Sequence, residues 1–308
     1  MEGLLGGDAE EGVKAGLEGL SAGVSGSEGK QRAYVERFGV GRIVGLLGHG
    51  SAGVQAKACD VARALTNDCA SNRVAFREGG VVEGLVRLLG SGDADVQKEA
   101  VRAVWNMALS NVENKDAFVG AGAAAAICKL LQSPVAAVQE NAAGCVQSLC
   151  ASQHVKSQDA FREAGCVPLL VGLLSSSSAD VQRWSSQAML KLSEGHGANA
   201  AALCDAGAVG ALAGVVSKGS GEARKQACGA LWGLVLGGGG GQGGVDAVEG
   251  LLGGDAEEGV KAGLEGLSAG VSGSEGKQRA YVERFGVGRI VGLLGHGSAG
   301  VQAKACDV

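Results

Sequence analysis

Gly23 to Lys30 places Gly23 and Gly29 ahead of a lysine, the outline of a loop that cradles phosphate with backbone N–H groups. The spacing is one residue too long, and Gln31 stands where Ser or Thr would hold magnesium. The segment reads as an inter-helix loop. A second run, Gly237 to Gly244, contains GxGxxG but follows an apolar helical pattern instead of a strand, so it is no dinucleotide site. His49 and His196 sit in Gly-His-Gly contexts and read as surface loop residues. His154 has no cysteine or carboxylate at ligand spacing. The cysteines form no CxxC pair, and Cys59, Cys128, Cys145 and Cys228 fall on apolar helical positions, where a thiol behaves as a small hydrophobe. No nucleophile elbow and no HExxH occurs, and Ser175 to Ser178 reads as a polar loop. The expectation is a chain that is not an enzyme, with no metal and no cofactor.

Composition narrows the remaining classes. The chain mixes 27 basic with 32 acidic residues and has no Lys/Arg block, so nucleic acid is not the expected partner. No apolar run approaches the ~20 residues of a membrane span. Met1-Glu2-Gly3-Leu4-Leu5 has no basic leader region, and Glu2 is not the glycine that myristoylation needs. The expected location is the cytoplasm, with the nucleus as the alternative. Hydrophobic residues at 46% can fill a core, while 3% aromatics and 2 prolines argue against a β-sandwich. Glycine, at 56 residues, works against helix by about 1 kcal/mol for each interior position.

Internal repetition decides the architecture. A pair of large aliphatics recurs at Leu4-Leu5, Leu46-Leu47, Leu88-Leu89, Leu130-Leu131, Leu173-Leu174, Val215-Val216, Leu251-Leu252 and Leu293-Leu294. The steps are 42 or 43 residues, with a single step of 36 before Leu251. Three segments fill each unit. The first carries one large residue in register: Tyr34, Phe76, Phe118, Phe161, Leu203, Tyr281. Asn72, Asn114 and Asn199 precede three of these by four residues and read as helix N-caps. Gly80, Gly122, Gly165 and Gly207 follow at a corner that needs positive φ, with Gly39 displaced by one in the first unit. The second segment holds the aliphatic pair. The third has apolar residues at helical spacing: Val54, Ala58, Ala62, Leu65; Val96, Ala100, Val104, Met107; Val138, Ala142, Val146, Leu149; Val181, Ser185, Met189, Leu192. Strict alternation is absent, so three helices per unit are expected, well over half the chain in helix, and no sheet.

The period and two motif blocks resemble the armadillo repeat family. Arg77-Glu78-Gly79-Gly80-Val81-Val82 through Leu88-Leu89 is similar to the family's turn and second helix, and Asp95-Val96-Gln97 through Asn106-Met107 to its third. Val54-Gln55, Val138-Gln139 and Val181-Gln182 repeat the Val-Gln start. The two-helix HEAT repeat is the runner-up; the short first helix and the corner glycine favour armadillo. The resemblance implies an all-α, right-handed superhelix whose third helices line a concave groove that binds extended peptides or partner proteins. The expected organisation is repeats over 1–236, a glycine-rich break over 237–247 where a first helix belongs, and further repeats over 248–308.

Residues 249–308 repeat residues 2–61 without a single change, at an offset of 247. Two origins fit: a natural array of 247-residue blocks, or a wrapped gene model. Cys306-Asp307-Val308 falls within a third helix, because Cys59-Asp60-Val61 continues to Leu65, so the chain is expected to be a fragment.

Aligned on the third helix, the two groove positions one turn apart are Asp60 and Ala64, Arg102 and Asn106, Gly144 and Ser148, Gln187 and Lys191, Gly229 and Gly233. Importin alpha, a family member that reads basic peptides, carries Trp and Asn there; here only Asn106 fits, and Trp105 and Trp232 lie one residue off. The candidate partner-binding residues are therefore Arg102, Asn106, Ser148, Gln187 and Lys191, together with Trp105 and Trp232, for which packing between repeats is the competing role. Asn106 and Gln187 would hydrogen-bond an extended chain, and Arg102 and Lys191 would favour an acidic one. The function expected is a non-catalytic protein-interaction scaffold. The alternative is the adaptor or substrate-recognition part of a larger enzyme such as a ubiquitin ligase.

Overall fold

The computed structural model of the chain describes residues 10–236 and 299–306, and the single positions 261, 264, 268, 278, 279 and 281. The described residues form helices and no strand. The glycine-rich break expected at 237–247 lies outside them. Two compact units divide the chain at residues 149 and 150.

The first unit opens with α1 (Glu10–Val24). Three trios follow: α2 (Glu28–Phe38), α3 (Gly41–Leu46) and α4 (Ala52–Thr66); α5 (Ala70–Glu78), α6 (Val81–Leu89) and α7 (Ala94–Ala108); α8 (Val112–Gly120), α9 (Ala123–Leu130) and α10 (Ala136–Cys150). In this unit α4 packs on both α1 and α7. The second unit holds α11 (Val155–Glu163), α12 (Cys166–Leu173) and α13 (Ala179–Ser193), then α14 (Gly197–Asp205), α15 (Ala208–Lys218) and α16 (Gly221–Leu236), and α17 (Ala299–Cys306). Here α13 packs on α16.

The apolar columns build the cores. All sixteen third-helix positions named above, from Val54 to Leu192, are fully buried, as are Phe76, Phe118, Phe161 and Leu203. Tyr34 is only half-buried. Between first and second helices, Gly80, Gly122, Gly165 and Gly207 take φ of 81, 83, 76 and 83°, the left-handed conformation that lacks the Cβ penalty only in glycine.

The Val-Gln start of each third helix has a specific job. Gln55, Gln97, Gln139 and Gln182 each donate Nε2–H to the carbonyl six residues earlier, on His49, Ser91, Ser133 and Ser176, at 2.6 to 2.9 Å. Those same four residues accept the N–H two positions on through a side-chain atom: His49 Nδ1 from Ser51, Ser91 Oγ from Asp93, Ser133 Oγ from Val135, Ser176 Oγ from Ser178. The loop into each third helix is thus tied from both sides, satisfying polar backbone groups that would otherwise be lost to burial. Ser51, Asp93 and Ser178 then cap the helices that follow.

The asparagines of the first helices are not caps. The capping side chains are those of Ser27, Asn111, His154 and His196, three residues earlier in register. Asn72, Asn114 and Asn199 lie inside the helices, nearly or fully buried. Each donates Nδ2–H to the last turn of the preceding third helix: Asn72 to Leu65 O at 2.8 Å, Asn114 to Met107 O at 2.9 Å, Asn199 to Leu192 O at 2.9 Å. Asn114 and Asn199 also donate to carbonyls of the neighbouring first helix, Arg73 O and Gln158 O. The adjacent residue reaches the end of the third helix that follows, and Arg73 reaches the preceding one as well. Gln31 donates to Ala64 O, Arg73 to Thr66 O and Leu109 O, and Gln158 to Lys191 O and Glu194 O, all at 2.8 to 3.0 Å. A third helix leaves its final carbonyls without intrahelical donors, and within each unit these buried side chains supply them.

Candidate functional site

Exposed side chains of the third helices were the candidates, and the structure sorts them. In the first unit, Arg102 on α7 remains at the surface with a side chain 38% exposed, but its Nη1 lies 3.1 and 3.0 Å from the two oxygens of Glu99 one turn back. Lys98 pairs with Asp95 at 2.8 Å and stands 3.7 Å from Glu99. On α4, Asp60 accepts from Ser21 Oγ at 2.7 Å and from Arg63 at 2.5 Å, and Lys57 pairs with Glu18 at 2.7 Å. Burial pushes the Asp60 carboxyl up. The hydrogen bonds from Ser21 and Arg63 and the charges of Arg63 and Arg102 outweigh it and hold the group below the ordinary aspartate range. Of these groups, Lys57, Asp60, Asp95, Lys98 and Glu99 border an open cleft of about 530 Å³ that Lys14 of α1 also lines.

Asn106, Ser148 and Trp232 are not available to a partner, which corrects their placement among the groove residues. Asn106, 8% exposed, donates Nδ2–H to Arg63 O at 3.1 Å and Asn67 Oδ1 at 3.2 Å, so it stitches α7 to the end of α4. Ser148, 1% exposed, donates to Trp105 O at 3.2 Å. Trp232 on α16 is buried, its ring centroid 5.9 Å from that of Tyr281. Small residues in the neighbouring columns bring the helices close enough for short polar side chains to bridge them, and the bridging removes them from solvent. Trp105 is half-buried and lies over Gly144: a Cβ at 144 would fall 2.6 Å from two atoms of its ring.

In the second unit, Gln187 and Lys191 on α13 are half-exposed, and Lys191 pairs with Glu194 at 2.8 Å. Sequence reasoning passed over Trp184. It is half-exposed three residues before Gln187 on the same helix, with the Arg183 guanidinium 4.4 Å from its ring centroid. Its position, one turn before the Arg102 column, was the available signal; on α4 and α7 the same register holds Lys57 and Glu99. Opposite, a Cβ at Gly229 on α16 would meet nothing within 4 Å, so that stretch of helix is open.

His196 and His154 are first-helix caps, accepting through Nδ1 from Asn199 N and Ser157 N at 3.3 Å. His196 Nε2 is also 3.2 Å from Asp159. Among the described residues no group of three or more His, Cys, Asp or Glu side chains is placed to hold a metal ion. No single described helix is long and apolar enough to cross a membrane. Cys59 is buried, and burial pushes its thiol far above the ordinary range, with Glu99 and Asp60 adding to the effect.

The family model described as Armadillo/beta-catenin-like repeat matches residues 70–109 and 111–151. An engineered protein of solved structure is 32% identical, with a TM-score of 0.73, over 77% of this chain and 95% of that one. A designed armadillo repeat protein is 27% identical (TM-score 0.69) over 75% of this chain and 97% of its own. Another, solved in complex with the peptide (KR)4, is 26% identical with the same TM-score and the same coverage. A search of curated proteins finds no match. The chain belongs to the armadillo repeat family, an α-solenoid fold that is in general a non-catalytic scaffold.

Proposed function

We propose that the chain is a non-catalytic scaffold that binds an extended segment of a protein partner on the third helices of a unit. The observation that carries this reading is the charged cleft of the first unit, where α1, α4 and α7 present alternating lysines and carboxylates on a rigid helical surface. A designed relative holding a basic peptide supports it. In the second unit, Trp184 and Gln187 beside the open backbone at Gly229 offer an aromatic contact and a hydrogen-bonding side chain. A stacked Arg and Trp is the kind of anchor that dominates interfaces.

The pairing of charges refines the ligand. Arg102 is engaged by Glu99 and Lys191 by Glu194, so an acidic peptide would have to break an ion pair at each point. An extended chain carrying both signs would instead insert its own charges into the existing ladder. The partner is thus a protein segment, not a nucleic acid or a small-molecule cofactor, met in the cytoplasm or nucleus. The test is a selection of displayed twelve-residue peptides on the whole chain, followed by anisotropy titration of the enriched sequences. Replacing Arg102 or Trp184 by Ala should weaken binding about 5- to 150-fold, the span of 1–3 kcal/mol expected for charged hydrogen bonds and modest anchors. Unchanged affinity in both variants, with the helical signal intact, rejects this surface.

A further inference from the structure

Arg87 reaches from one second helix to the one before it. Its Nη2 donates at 2.8 Å to Leu47 O, a carbonyl at the end of α3. Leu47 is the second residue of its aliphatic pair, and Arg87 immediately precedes the next pair. The groove between α6 and α9, of about 470 Å³, holds a lysine in the register of Arg87: Lys129 lines it together with Val86, Leu89 and Ala126. In the second unit the groove between α12 and α15, of about 520 Å³, has the corresponding walls, Val171, Leu174 and Ala211, but Gly214 stands in the register of the cation. A Cβ at 214 would meet nothing within 4 Å, so the position is open.

We propose that the groove between α12 and α15 is a docking site for an arginine side chain of a protein partner, its aliphatic stem on Val171, Ala211 and Val215 and its guanidinium on Leu174 O. Both side chains that the first unit places in this register are cations, and Arg87 shows the bond that such a side chain makes to the end of a second helix. Leu174 O, the counterpart of Leu47 O, accepts from Gln182 Nε2 at 3.2 Å, a long bond, and a carbonyl has a second lone pair. The last carbonyls of α12 form the negative end of its dipole, which favours a positive charge. Guanidinium suits the groove better than ammonium, because it is less strongly hydrated and its spread donors can also reach Ser175, which lines the same wall. Lys218, exposed at the end of α15, is the like charge that such a ligand must tolerate, and solvent screens it. Trp184, Gln187 and Lys191 do not line this groove, so the site is separate from the third-helix surface of the same unit.

The test follows backbone amide resonances of the whole chain while the blocked tripeptide acetyl-Gly-Arg-Gly-amide is added to about 10 mM, above the roughly millimolar affinity that one side chain can supply. Leu174, Ser175, Ser176 and Gly214 should shift and saturate. The glutamate and norleucine analogues should bind about 10-fold or more weakly, since they lack the charged hydrogen bond. Gly214→Arg, which supplies the cation in cis, should abolish the response; Gly214→Ala should keep it, and Lys218→Ala should strengthen it. Arg87→Gly should add a second response, at Leu47 and Gly48. The proposal is overturned if no saturable shift occurs at the α12–α15 groove, if the glutamate or norleucine peptide matches the arginine peptide, or if Gly214→Arg responds as the parent does. Equal loss in Gly214→Ala and Gly214→Arg, weaker binding in Lys218→Ala, or no second response in Arg87→Gly also overturns it, because a cation on the helix-end carbonyl would then not be what the groove recognises.

Discussion

Replacing Asn114 by Ala separates two roles that one residue type can play in a first helix. Asn114 is fully buried and donates Nδ2–H to Met107 O at 2.9 Å and Arg73 O at 3.2 Å, joining α8 to α7 and α5. Each bond contributes roughly 0.5–1.5 kcal/mol net, and a buried carbonyl left without a donor costs about 1–3 kcal/mol. Partial relaxation of the two carbonyls brings the expected loss to about 2–4 kcal/mol. Asn111 is the internal reference. It is the true cap, accepting from Asn114 N at 2.8 Å in a half-exposed turn, and its replacement by Ala should cost about 1 kcal/mol. Urea unfolding of both variants, followed by helical circular dichroism, gives the two values side by side. If Asn114→Ala costs no more than Asn111→Ala, the buried amide does not stitch repeats together.

Two further expectations follow from the same geometry. Gly144→Ala should destabilise, because forcing a Cβ to within 2.6 Å of the Trp105 ring costs about 1–3 kcal/mol against a helix gain of about 1 kcal/mol, while Gly229→Ala, with nothing within 4 Å, should gain up to about 1 kcal/mol; melting temperatures in the opposite order would refute the packing described. Asp60 has a folded-state pKa below its unfolded value of about 3.9, so its stabilisation is present above that pH and is lost as pH falls through the folded value. Asp60→Asn should therefore be less stable at neutral pH and show a shallower loss of stability below about pH 4 than the parent, and parallel acid limbs would contradict the Ser21–Asp60–Arg63 network.

Most of the fold was legible because burial repeats with the sequence. The columns from Val54 to Leu192 recur at fixed spacing and are all fully buried, and the corner glycines stand where positive φ demands them. Less legible was which polar residue of a first helix faces inward. Asn72, Asn114 and Asn199 have the composition of caps, but the cap position falls three residues earlier, and only tertiary contact with the end of the preceding third helix reveals their role. The same limit applies to the groove. Asn106 and Ser148 share a helical stripe with Arg102 and Lys191, Trp232 lies one residue off it, and nothing in the spacing says how closely the next helix approaches. Trp184 was missed because its register, one turn before the Arg102 column, holds an aromatic only on α13 and charged residues on α4 and α7.

If the third helices carry the ligand, covalent capture of a bound peptide locates them directly. A peptide enriched by selection on the whole chain, synthesised with a benzophenone side chain at each position in turn, can be photo-cross-linked and the attachment sites read by mass spectrometry. Attachment is expected on α4 and α7 between Lys57 and Arg102, or on α13 between Trp184 and Lys191. Attachment confined to the second helices α6, α9, α12 and α15 would contradict it.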